Sequence, residues 1–129
     1  MRPLLMLFLL LAAAPATAQQ PEWRGAPEYD VLMLPHAYEP DPIRLAAGRP
    51  VRLRFVNQGQ TGFSFSASRF FRAARIRRGD DEAVRDGTLR LAPGERRTIA
   101  LVPAAGRYRA RSANLLHRLL GMSVRIIVE

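Results

Sequence analysis

No cysteine occurs in this 129-residue chain, and lysine is missing as well, so all 20 basic residues are arginines. Without thiols there can be no disulfide framework, no Cys-based zinc site, no iron–sulfur cluster and no thiol nucleophile. An ordinary blue-copper centre, which needs a thiolate, is excluded with them. Histidine is limited to His36 and His117. No apolar run reaches the roughly 20 residues of a spanning helix. A Gly-x-Ser-x-Gly elbow, a phosphate-cradling glycine loop and a His-Glu-x-x-His pair are also missing. Ser112 and His117 have no acid near them in sequence to orient the imidazole. No enzymatic activity is expected.

What is present begins with an address. Met1-Arg2 is a short positive start, Leu4 to Ala14 is almost wholly apolar, and Ala16-Thr17-Ala18 has the small-residue pattern of a cleavage site. Residues 1–18 are therefore expected to be a cleavable signal peptide, cut after Ala18, and the mature chain to be periplasmic or secreted without a transmembrane segment. Residues 19–28 are polar and proline-rich and are expected to be a flexible lead-in. Residues 29–129 are long enough for one domain.

From Tyr29 onward the period is two. Val51, Leu53 and Phe55 alternate with Arg52 and Arg54, and Phe63 and Phe65 alternate with Ser64 and Ser66. Gly48-Arg49-Pro50, Asn57-Gln58-Gly59, Pro93-Gly94-Glu95 and Pro103 to Gly106 read as turns. Pro40 and Pro42 suit an edge strand or a bulge. Ser68 is expected to cap a helical turn through Phe70 and Phe71, and Arg77 to Gly87 to be an exposed loop. Short strands between regular turns predict an all-β sandwich.

The net charge is +9. Most arginines alternate with apolar residues, which predicts a solvated face. Arg69, Arg72, Arg75, Arg77 and Arg78 form a denser cluster that would attract an anionic surface or an acidic protein. An exported chain without a recognition-helix pattern is not expected to bind nucleic acid.

The C-terminal third places Tyr108 four residues before Ser112, His117 five residues after Ser112, and Met122 just after Gly121. Upstream stand Val51 to Asn57, Phe63 six residues after Asn57, and the Pro93-Gly94-Glu95 turn. In order and spacing this resembles the cupredoxin family, from about Tyr38 to Val128. The resemblance implies a single-domain Greek-key β-sandwich. It places Phe63 where the family's first His ligand stands, Ser112 where the Cys stands, and His117 and Met122 at two further ligand positions. Phe63 and Ser112 are thus degenerate ligand positions, and no type 1 copper is expected.

The resemblance also implies a role: an exported binding or accessory module linked to copper handling, with a periplasmic protein partner. The alternative is a copper carrier or electron-transfer protein using His117, Met122 and another donor such as His36, with Met33 as a further candidate. Leu115, Leu116, Leu119 and Leu120 surround His117 and are expected to form a docking surface, two turned inward as an apolar plug and two outward.

Overall fold

The computed structural model describes residues 21–129; the expected leader and its cleavage site lie outside them. Ten strands form two five-stranded sheets. The first holds β1 (Glu28–Leu34), β2 (Ala37–Glu39), β4 (Val51–Asn57), β6 (Arg75–Ile76) and β8 (Arg96–Val102), in the order β2-β1-β4-β8-β6. The second holds β3 (Ile43–Leu45), β5 (Phe63–Ser66), β7 (Thr88–Leu91), β9 (Gly106–Arg111) and β10 (Ser123–Val128), in the order β3-β10-β9-β5-β7. β1 runs parallel to β4 and β10 parallel to β3; the other pairings are antiparallel. Pro40 and Pro42 fall where the chain leaves an edge of one sheet for an edge of the other, where no ladder needs their missing N–H.

Alternation becomes burial. Val31 and Met33 from β1, and Val51, Leu53 and Phe55 from β4, point into the core with Ile99 and Leu101 of β8. From the second sheet come Phe65, Leu89, Leu91, Ala110, Val124 and Ile126. Phe65 is the aromatic hub: its ring centroid lies 4.9 Å from Phe55, 5.3 Å from Tyr38 and 6.1 Å from Phe71. Burial of one such side chain is worth about 2–3 kcal/mol.

Three local expectations change. Helix α1 (Ser68–Ala73) starts with Ser68 inside it, after Ala67, and has no side-chain cap. Burial of Phe70 and Phe71 holds it instead. The Arg77 to Gly87 segment is anchored: it contains a 3₁₀ turn at Asp81–Val84 with Val84 buried, and Asp80 accepts from Arg77 Nε at 3.0 Å and from Ala100 N at 2.9 Å. It presses so close on α1 that a Cβ on Gly87 would stand 2.3 Å from Ser68 Oγ. The lead-in is docked at its end, since Ala26 is buried and Pro27 O accepts from Arg52 N at 2.9 Å.

Candidate functional site

One end of the sandwich gathers three connections: the β1–β2 turn with Pro35 and His36, the segment from β4 to β5, and the link from β9 to β10. That last link is a helix, α2 (Leu115–Leu119), rather than an open loop. Asn114 caps it, its Oδ1 accepting from Leu116 N at 2.9 Å and His117 N at 3.3 Å. An asparagine supplies the orphan N–H groups of a first turn with the acceptor they lack.

Asn57 ties the β4–β5 segment to the end of β7. It lies on the inward phase of β4, after Val51, Leu53 and Phe55, and is only 1% exposed. Its Nδ2 donates to Thr61 O at 2.9 Å and Leu91 O at 3.1 Å, and its Oδ1 accepts from Gly59 N at 2.8 Å. Gln58 N donates to Met33 O at 3.0 Å, joining the end of β1. The connection closes on Phe63 so tightly that a Cβ on Gly59 would lie 2.3 Å from the Phe63 ring.

Beneath α2 runs a chain of hydroxyls. Ser64 Oγ accepts from Ala113 N at 2.8 Å and lies 3.3 Å from Ser112 Oγ. Ser112 Oγ accepts from Asn114 N at 3.1 Å and lies 3.5 Å from His117 Nδ1. Phe63 meets the His117 ring edge-on, centroids 5.4 Å apart. The Tyr38 hydroxyl donates to Ser64 O, and burial pushes the Tyr38 pKa upward.

The structure therefore brings Phe63, Ser112 and His117 into contact. Met122 joins the same knot through its backbone, with Met122 N donating to His117 O at 3.0 Å and Ser112 N to Met122 O at 3.2 Å, and its side chain is wholly buried. Met33 is equally buried, packed as core. His36 is exposed and left-handed, with φ of 66°, and lines a cleft with His117, Gln58, Gln60, Thr61 and Phe63. The four leucines are all exposed, at 61% for Leu115, 62% for Leu116, 74% for Leu119 and 52% for Leu120. None forms the inward plug, and α2 buries none of its residues.

Sequence reading missed Asn57, Ser64, Tyr38 and Asn114 as site builders. The signal for Asn57 was its place in phase with three buried residues. For Asn114 it was an asparagine just before an apolar pair.

Two packed sheets with this strand order, closed at one end by these connections, define a cupredoxin-like β-sandwich. Auracyanin B superposes with a TM-score of 0.57 at 22% identity, over 88% of this chain and 93% of that one. Auracyanin A, a blue copper protein from the green thermophilic photosynthetic bacterium Chloroflexus aurantiacus, gives 0.51 at 18%, over 81% of this chain and 100% of that one. A multi-copper oxidase from Pediococcus acidilactici gives 0.58 at 12%, over 78% of this chain and 25% of that one. No protein-family model and no curated protein matches the sequence.

A type 1 copper requires a thiolate and two imidazoles. Here the donors at hand are one imidazole and a buried hydroxyl that already accepts a backbone N–H, with a phenyl ring against the imidazole. This set does not fit that centre. Among the described residues no group of three or more His, Cys, Asp or Glu side chains could hold a metal ion. Ser112 is also no nucleophile as placed, being wholly buried with its oxygen engaged.

Proposed function

We propose that this protein is an exported binding or accessory module on a cupredoxin-like scaffold, tied to copper handling, and that it acts by contact through α2. Phe63 and Ser112 stand as the degenerate remains of a ligand set. The observation that carries the reading is the exposure of Leu115, Leu116, Leu119 and Leu120 on a helix with no buried residue. A cluster of exposed leucines is unfavourable to hydrate, and a partner that covers it relieves that cost. The Met1 to Ala18 pattern supports export, and the copper proteins that share the fold support the copper link.

A photo-crosslinking residue at Leu119, with one at exposed Arg49 as control, tests the reading in the exporting cell. Arg49 lies in the turn between β3 and β4. Discrete envelope adducts, protein or lipid, are expected from 119 and not from 49. Equal labelling at both positions overturns it.

A second reading, a copper carrier, is favoured by the cleft shared by His36 and His117. Two imidazoles suit Cu(II). Titration with Cu(I) and Cu(II) should then weaken in His36→Ala and in His117→Ala. Equal weak binding by all proteins removes this reading. Unchanged binding in Met122→Ala would leave the donors as the two histidines alone, without the sulfur.

A further inference from the structure

The two sheets carry their arginines differently. On β1 and β4 the register sets acid against base. Arg54 forks onto Asp30 with Nε–Oδ1 2.9 Å and Nη2–Oδ2 2.8 Å, and it reaches Glu28 at 3.2 Å; Arg52 reaches Glu28 at 3.7 Å. Along β9 and β10 the register sets no acid against an arginine. Arg109 sits directly opposite Arg125, and Arg111 opposite Ser123. The stretch from Arg96 to Val128 contains seven arginines and no acid. Among the described residues Arg107, Arg109, Arg111 and Arg118 have no carboxylate partner, and the one acid reaching this row is Asp41, 3.8 Å from Arg125. Like charges facing across a ladder destabilise the sheet unless something outside neutralises them.

This row, met by an acid only at Arg125, leads to the leucines. Arg111 ends β9 four residues before Leu115, and Arg118 lies within α2. At about 100° per residue, Leu115, Leu116, Leu119 and Leu120 share one side of the helix, with His117 bordering the stripe at one edge and Arg118 at the other. The apolar side of this amphipathic turn is the outer one.

We infer that this end of the protein docks on an anionic lipid surface, with the α2 leucines entering the headgroup–acyl boundary and Arg111, Arg118, Arg109 and Arg125 holding the acidic headgroups. The inference rests on the contact-surface reading above and names its partner. Charge complementarity selects an anionic occupant. The apolar part selects lipid over an acidic protein. Its exposed apolar side chains are all aliphatic, whereas protein interfaces concentrate their binding energy in aromatic residues and arginine and under-use leucine. A bilayer accommodates exposed leucines without a complementary groove, and an amphipathic surface with arginines at its edge is the form that binds it.

The test uses a chain starting at Gln19, which keeps both sheets whole and removes the apolar leader that would itself bind lipid. Its partition onto phosphatidylcholine vesicles is compared with partition onto vesicles containing phosphatidylglycerol. Binding is expected only on the anionic vesicles and should fall as salt rises. Arg109→Gln/Arg111→Gln should lower it by about fivefold per arginine. Leu116→Ser/Leu119→Ser should lower it at least as far with the fold intact. Leu119→Trp should show blue-shifted emission quenched by brominated lipid. Equal weak binding to both vesicles, or anionic binding indifferent to the leucine pair and an unshifted tryptophan, overturns the inference. If the 119 crosslink captures one protein while vesicles bind nothing, the contact surface stands and its lipid partner is refuted. If neither occurs, both fall.

Discussion

Phe63 lies edge-on to His117, ring centroids 5.4 Å apart and planes at 71°, at the point where the β4–β5 segment meets α2. The imidazole is packed against hydrocarbon on that side and lies 3.5 Å from the Ser112 hydroxyl on Nδ1. Adding Cu(II) to the wild-type protein should therefore give no intense thiolate-to-copper absorption. Phe63→His/Ser112→Cys should gain that visible band, because it supplies an imidazole and a thiolate beside His117. Loss of the Phe63 ring should cost about 3 kcal/mol of stability. A folded double variant that stays colourless with copper refutes the assignment of these two positions.

Asn57→Ala leaves the carbonyls of Thr61 and Leu91 and the N–H of Gly59 without their partner. Buried groups orphaned this way cost about 1–3 kcal/mol each, offset where water enters. Denaturant unfolding should show a loss of about 2–4 kcal/mol. A loss below about 0.5 kcal/mol, the scale of an ordinary surface change, would show that Asn57 clamps nothing.

Leu116→Ser/Leu119→Ser should behave oppositely. Both side chains are mostly in water, at 62% and 74% exposure, so stability should change by no more than about 0.5 kcal/mol per site. Asn114→Ala, a few residues away, should cost about 1 kcal/mol by uncapping α2. A large loss from the leucine pair would mean that these side chains are core.

Stability should fall at both pH extremes for different reasons. Burial raises the Tyr38 pKa above its ordinary 10.0. A group raised in the folded state contributes stability that is fully present below the unfolded value and is lost as the pH climbs beyond it. The melting temperature should thus drop above about pH 10, with a shallower drop in Tyr38→Phe. On the acid side, the hydrogen-bonded guanidinium of Arg54 holds Asp30 below its ordinary 3.8. That contribution is present above the unfolded value and fades as the pH falls through the folded one. Both side chains are well exposed, so Arg54→Gln should alter the acid limb only slightly. An alkaline limb identical in wild type and Tyr38→Phe would remove Tyr38 from this account.

The two-residue period of Val51, Leu53 and Phe55 determined a sandwich strand because it needs only one buried face and one wet one. The spacing of Phe63, Ser112 and His117 was enough to expect them together, and they meet. Met122 shared that spacing and is wholly buried, which the sequence could not settle, since a residue opening a strand points to one face or the other.

Composition alone removed the thiolate, and with it the blue centre. Only the tertiary structure decided which arginines are neutralised, because β1 brings acids opposite β4 while β9 and β10 face arginine with arginine. It also decided that the four leucines stand in water. Their helical spacing fixes a common side, but whether that side faces core or solvent depends on which residue of the helix meets the sandwich, and there His117, not the leucines, contacts Phe63 and the Ser112 hydroxyl.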